Sequence, residues 1–356
     1  MIGRIMDIEV REFNKNDTKK WDQYVIQSND SSFYHQIGWK AVVEGIYGHR
    51  SFYLYAEDDD GNVIGILPTF LIDSFLFGKR MVSIPFAPYG GLCCKDVNVG
   101  KKLLDSMLCI GNDLNVKEYE FRGSPFSLSY DFTSNSFYKS DYSQYVTFHK
   151  DLSNGIGYMW DHIDRKARNL VRKASKNNLS FEILNYSRSN VRLFYEIYLE
   201  NMKSLGTPVH SFEFFDKLGE TFPEDVFISS VELSNTVIAS LYLIRFKDCI
   251  LSGWGASLDQ YLKYAPNNFI YWKALRWASE KEYSYFDFGR SELNSGNYFF
   301  KQKWRGNEIP LKYSCFSSSK LKMKDADSYK SFCNVWKKIP LPLTRVLGPC
   351  IRKNIV

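Results

Sequence analysis

The sequence offers no apolar run of the roughly 18 residues that a helix needs to span a bilayer. Its first residues, MIGRIMDIEV, lack the basic and long apolar regions of a secretory leader. The seven cysteines include no C-x-x-C pair and the five histidines lie far apart, so no zinc or other metal centre is expected. So odd and irregular a cysteine set gives no disulfide framework, and a reducing cytoplasm with free thiols is the expectation. The net charge is only +6, which by itself calls for neither nucleic acid nor an anionic membrane; any electrostatic role has to be local. No Ser-His-Asp or Cys-His arrangement is legible, so nothing supports a covalent intermediate.

What is present fits a globular α/β protein of two domains. A length of 356 residues is comfortable for two domains and long for one. Aromatic residues make up 17% of the chain, enough to build cores and also to line ligand grooves.

The chain contains itself twice. Phe52–Ile72 reads as two apolar strands around the turn signal Asp60-Gly61-Asn62, and Val226–Phe246 as two strands around a Ser-Asn turn. Downstream, Gly100–Asn115 carries Leu103, Leu104, Met107, Leu108 and Ile110 at helical spacing, followed by the strand and turn Val116–Ser124. The second copy answers with Ile270, Trp272, Ala274, Leu275 and Trp277 on Phe269–Lys281, then Lys281–Ser291. A strand–helix–strand passage implies parallel pairing, and the hairpins imply antiparallel neighbours, so each copy should form a mixed, mostly antiparallel sheet. The expected division is 1–150, 151–320 and a C-terminal tail, 321–356, with the linker near Asp151–Trp160.

Two segments stand out chemically. In the first, Phe286-Asp287-Phe288-Gly289-Arg290-Ser291 ends an aromatic-rich strand with a glycine turn, leaving Arg290 and Ser291 at the carboxyl edge, where open α/β sheets bind ligands. Ser295-Gly296 follows as a second turn, and Phe300-Lys301-Gln302-Lys303-Trp304 starts a short element from which Lys301 would point a mobile cation towards a phosphate or a developing oxyanion. A purely structural pair of turns is the plain alternative. In the second, a helix expected over Trp160–Lys176, six of the twelve residues Arg165–Lys176 are basic and none is acidic. Such a face suits phosphates, or is simply solvated.

The Asp287–Trp304 run resembles the terminal signature of the FemABX-like acyltransferases, within the wider superfamily of GCN5-related N-acetyltransferases (GNAT). Trp39, Ile64-Gly65-Ile66-Leu67-Pro68, Ser83-Ile84-Pro85-Phe86 and Tyr89-Gly90-Gly91-Leu92 are similar to the same family, as is the K-x-R-x-x-x-R-K-A pattern at Lys166, Arg168, Arg172, Lys173 and Ala174. The resemblance implies two tandem GNAT-like domains with the active site on the second, facing the cleft between the two. It makes Lys301 and Asp287 the candidate catalytic residues, and Lys166, Arg168, Arg172, Arg290, Ser291, Trp39, Tyr89, Phe300 and Trp304 the candidate substrate-binding ones.

The implied reaction is transfer of an aminoacyl or acyl group to an amino group of a cell-wall or cell-surface precursor, nucleotide- or lipid-linked. No cofactor is expected to be tightly bound; the donor is an aminoacyl-tRNA or an acyl-CoA. The stretch Lys263–Phe269, where a CoA-dependent relative carries a glycine-rich pyrophosphate loop, has no glycine and has Pro266 at a helix entrance, which favours aminoacyl-tRNA. No long helical-hairpin insertion is visible, so tRNA would engage the domain surface. Acyl-CoA-dependent acylation of an amino sugar, and a non-catalytic module binding glycan precursor or nucleic acid, stay open. The mixed apolar and basic run Trp336–Lys353 would either dock on an anionic membrane or pack on the second domain.

Overall fold

The computed structural model describes residues 7–74, 78–123, 138–317 and 326–355. From the N-terminus the elements are β1 (Glu9–Glu12), α1 (Thr18–Gln27), α2 (Ile37–Tyr47), β2 (Arg50–Glu57), β3 (Val63–Ser74), β4 (Gly78–Val82), β5 (Cys93–Cys94), α3 (Val97–Asp113) and β6 (Glu118–Arg122). There follow β7 (Tyr138–Asp151), α4 (Gly155–His162), α5 (Arg165–Ser175), β8 (Ser180–Asn185), α6 (Arg188–Leu205), α7 (Phe212–Thr221), β9 (Val226–Leu233) and β10 (Thr236–Phe246). The last are β11 (Cys249–Ser257), α8 (Pro266–Glu280), β12 (Tyr285–Asp287), β13 (Ser291–Glu292), α9 (Gly296–Gln302), β14 (Asn307–Ser317), α10 (Ala326–Lys338) and α11 (Leu341–Arg352).

The chain forms two compact units. The first runs to Gln144 and takes in the stretch that begins at Pro310; the second comprises Tyr145–Ile309 and the C-terminal helices. In the first unit β2 and β3 make the expected hairpin. Its turn is held by the Asp58 carboxylate, which accepts the backbone N–H groups of Asp60 and Asn62 at 3.1 and 2.8 Å. Strand β3 pairs antiparallel with β4, the chain crosses over through α3, and β6 returns parallel to β4. Helix α3 starts because Asp96 caps the N–H groups of Asn98 and Val99. It buries Val99, Leu103, Leu104 and Met107 against Phe52, Leu54, Ile64 and Leu67 of the hairpin. Ser124, the last residue of the expected turn, lies outside the described residues.

The second unit repeats this order. Strands β9 and β10 are joined by Ser234 and Asn235, at φ 51° and 66°. Two consecutive left-handed residues are what the tightest hairpin turn requires, because its twist matches that of the strands. Strand β10 pairs antiparallel with β11, α8 makes the crossover, and β12 returns parallel to β11. In both units the strand pairing is thus mixed and mostly antiparallel, and each has one parallel pair bridged by a helix.

The division departs from a contiguous reading of the chain at two places. Strand β6 has as its further neighbour the end of β14, paired from Tyr313↔Arg122 to Ser317↔Glu118. Strand β12 has as its further neighbour β7, paired from Tyr285↔Asp151 to Asp287↔His149. Each unit is therefore completed by a strand from the other half of the sequence, so Tyr145–Lys150 goes to the second unit and Pro310–Ser317 to the first. The expected linker at Asp151–Trp160 falls inside the second unit, at the end of β7 and the start of α4. The C-terminal helices are no separate tail: α10 and α11 both pack on α6. Arg345 on α11 reaches Glu196 at 2.5 Å, and Arg352 lies 3.2 Å from the His210 ring.

Candidate active site

Asp287 is the last residue of β12, 1% exposed, with His149 directly across on β7. One carboxylate oxygen accepts the Gly289 N–H at 2.7 Å and the Thr147 hydroxyl. The other stands 3.2 Å from Nε2 of His149, an ion-pair contact when the imidazole is protonated. Burial pulls the His149 pKa down, but the charge of Asp287 and the hydrogen bond to it more than offset burial, so the net shift is upward. Asp287, a candidate catalytic residue from sequence, is enclosed. It orients His149 and fixes the turn that follows.

That turn is a bulge. Asp287 faces His149 and Ser291 faces Val146, which leaves one extra residue on the β12–β13 side. Gly289 absorbs it at φ 71°, and a Cβ there would stand 2.8 Å from the carbonyl oxygen of Ser252, so only glycine fits. The bulge turns the carbonyls of Gly289 and Arg290 towards α9. Helix α9 starts at Ser295, whose hydroxyl accepts the Tyr298 N–H at 3.2 Å, and it places Lys301 beneath the bulge. The Lys301 ammonium donates to Gly289 O at 2.9 Å and to Arg290 O at 3.0 Å.

Lys301 is thus not the mobile cation expected from sequence. It is 8% exposed and held by two carbonyls, with one of its three N–H donors left over. Burial lowers its pKa to about 8, opposed by the negative charge of Asp287 and assisted by Arg290. The buried Ser291 hydroxyl, next to the bulge, has no hydrogen-bond partner among the described residues. Arg290 is exposed, with its guanidinium 4.5 Å from the Tyr145 ring. Phe300 and Trp304 pack with Tyr271 and Phe288, and Trp304 is fully buried, so both support the site from the core.

The helix expected over Trp160–Lys176 is two helices, because Asp164 adopts an extended backbone and caps α5 by accepting the Lys166 N–H at 2.7 Å. Arg168 turns back and donates to the carbonyls of Trp160 and Asp161 at the end of α4, at 3.3 and 2.7 Å. The Arg172 guanidinium lies 5.3 Å from the Trp160 ring, and Lys166 is exposed. In the first unit Trp39 and Tyr89 are buried around Tyr34, at ring distances of 4.8 and 5.7 Å, as packing residues. A cavity of about 260 Å³ lined by Arg192, Tyr195, Ser211, Phe212, Glu213 and Arg345 shares no residue with the Asp287–Lys301 constellation. His149 and Thr147 are the residues that sequence reasoning missed. Thr147 sits 140 positions from Asp287, and only the β7–β12 register brings the two together.

Residues 162–302 match the model of the acetyltransferase (GNAT) domain family. No curated protein matches the chain. Among solved structures, FemX superposes with a TM-score of 0.65 at 12% identity, over 86% of this chain and 96% of that one. The C-terminal domain of a protein assigned as a lysylphosphatidylglycerol synthetase from Agrobacterium fabrum gives 0.56 at 12%, over 91% and 96%. A tandem GNAT protein from the clavulanic acid biosynthesis pathway gives 0.55 at 9%, over 89% and 100%. The matched stretch holds Asp287, Lys301 and the bulge between them, and the repeated hairpin–helix–strand order accounts for the likeness across both units. The chain is accordingly an acyltransferase with a FemABX-like fold of two tandem GNAT-like units.

Proposed function

We propose that the chain transfers an aminoacyl group from an aminoacyl-tRNA to an amino group of a nucleotide- or lipid-linked cell-envelope precursor. The observation that carries the reading is the buried Lys301 ammonium, fixed by Gly289 O and Arg290 O with one donor to spare. The acceptor nitrogen attacks the ester carbonyl carbon, and its proton passes to His149, which Asp287 holds in place. Negative charge gathers on the carbonyl oxygen, where the free N–H of Lys301 stabilises it. Collapse breaks the bond to the ribose oxygen, which takes the proton back from His149, so the enzyme returns to its starting state. The unpartnered Ser291 hydroxyl supplies a further hydrogen bond to substrate.

The connection between β11 and α8 supports aminoacyl-tRNA as the donor. It is a 3-10 helix, Asp259–Tyr264, followed by Ala265 at φ 56° and Pro266 at the first position of α8. The connection lacks the glycines of a pyrophosphate loop, Pro266 supplies no N–H, and the exposed Lys166 and Arg172 on α5 suit the phosphates of a tRNA end. Likeness to FemX and to the lysylphosphatidylglycerol synthetase domain supports an envelope acceptor. The test is product formation, read by mass spectrometry, from aminoacyl-tRNA and from acyl-CoA thioesters with nucleotide- and lipid-linked amine acceptors. Transfer from aminoacyl-tRNA alone is expected; transfer from the thioesters alone would overturn the donor.

A further inference from the structure

Helix α11 presents two unlike faces. Its inner face is set by Thr344 and Gly348, both buried, and the helix packs on α6. Gly348 is packed so closely that a Cβ would meet Val209 at 2.7 Å. The two arginines of the helix also turn to the protein, Arg345 to Glu196 and Arg352 to His210. By helical spacing the outer face comprises Pro342, Leu343, Val346, Leu347 and Cys350. None is charged, and Leu343, Val346 and Leu347 are 52%, 66% and 44% exposed. Val335 on α10, 64% exposed, is a fourth large apolar side chain on the C-terminal helices.

A water-facing helix normally keeps its charges outside, so this reversal needs an occupant. The surrounding charge identifies it. Ser328–Val356 contains Lys330, Lys337, Lys338, Arg345, Arg352 and Lys353 and no acidic residue. Exposed Lys337 and Lys338 flank one end of α11, and exposed Lys353 the other. A second copy of the same face would set these lysines against lysines. An anionic surface with an apolar layer beneath it answers both features at once. No helix among the described residues is long and apolar enough to cross a membrane, so the mode is insertion at the interface.

We infer that α11 is an interfacial anchor, which lays Leu343, Val346 and Leu347 into the acyl boundary of an anionic bilayer while Lys337, Lys338 and Lys353 meet its head groups. The anchor deepens the proposed reading by bringing the enzyme to the surface that carries a lipid-linked acceptor. Its test involves no acyl transfer, so the two stand or fall separately.

The test is co-sedimentation of the full chain with vesicles of equal parts phosphatidylglycerol and phosphatidylcholine, beside vesicles of phosphatidylcholine alone. Binding to the mixed vesicles is expected to exceed that to the neutral ones by about tenfold or more and to weaken in high salt. A triple variant, Leu343→Ser/Val346→Ser/Leu347→Ser, alters only exposed positions and should lose at least tenfold in binding while keeping the wild-type unfolding midpoint. A second, Lys337→Glu/Lys338→Glu/Lys353→Glu, should lose the preference for anionic vesicles. Absence of binding to the mixed vesicles, or binding unchanged in both variants, would overturn the anchor. So would a concentration-dependent dimer, in sedimentation velocity, that the triple variant abolishes.

Discussion

Replacing Lys301 by methionine removes the ammonium and keeps most of the volume. In the native protein burial of the charged form lowers the pKa from 10.5 to about 8, which corresponds to a cost of about 3 kcal/mol on the ammonium at neutral pH. The variant escapes that cost but leaves the carbonyls of Gly289 and Arg290 without their donor, and each buried orphan costs about 1–3 kcal/mol. The opposing effects are similar in size, so unfolding free energy should change by no more than about 3 kcal/mol and the variant should fold. Catalysis has no such compensation. Loss of one oxyanion donor lowers kcat by roughly 100- to 1,000-fold.

The pH dependence adds an independent readout. Lys301 is protonated below its folded pKa and loses its proton above it, so wild-type kcat should fall as pH rises through about 8. The methionine variant should lack that limb. Stability carries the complementary sign. The unfolded lysine keeps its proton up to about 10.4, so between about 8 and 10.4 the unfolded state binds more protons and wild-type stability rises with pH, an increment the variant lacks. Single-turnover acyl transfer across pH 6–10, paired with thermal unfolding, reads both. A folded variant with kcat/KM within threefold of wild type and an unchanged alkaline limb would refute the role of Lys301.

Asp287→Asn should lower the His149 pKa, because the charge that offsets burial is gone; the imidazole titration by NMR reads the shift directly. His149 is raised in the wild type, so its stabilising effect is present below about pH 6.5 and lost as pH climbs through the folded pKa; in Asp287→Asn that acid-side gain should vanish, and acyl transfer should drop at least about tenfold. Gly289→Ala puts a Cβ against the Ser252 carbonyl at a positive φ and should destabilise by about 2–3 kcal/mol in thermal unfolding. Arg168→Ala should cost about 1 kcal/mol in the same assay by releasing the α4 carbonyls. Lys166→Ala, at an exposed position, should leave stability unchanged and weaken tRNA binding in a filter assay.

What was legible in the sequence was local. The Asp-Gly-Asn and Ser-Asn turns, the helical stripes Leu103–Met107 and Ile270–Leu275, and the strand that ends at Asp287 each follow from chemistry within a few residues, and all appear where expected. The break at Asp164 was also local, since an aspartate before a helix is a cap, but the apolar spacing on either side of it hid the interruption. What stayed hidden was non-local. Nothing in Thr147 or His149 announces a partner 138 or more positions away, because a register is a property of two strands together. For the same reason Lys301 read as a free cation: its two acceptors exist only once Gly289 has formed the bulge. Trp39 and Tyr89 matched a family pattern, and the physical reason for both is packing around Tyr34.

The exchanged strands also govern the order in which the protein can acquire its structure. While the chain is being synthesised, the first unit has every strand but one among its described residues by the time β6 leaves the ribosome, yet the pairing edge of β6 stays open until Tyr313–Ser317 emerges. An open edge of that kind is a hazard for aggregation. Nascent first halves should therefore need shielding through most of translation, and a fragment that stops short of Asn307 should be recovered as insoluble protein even though it contains the whole candidate active site.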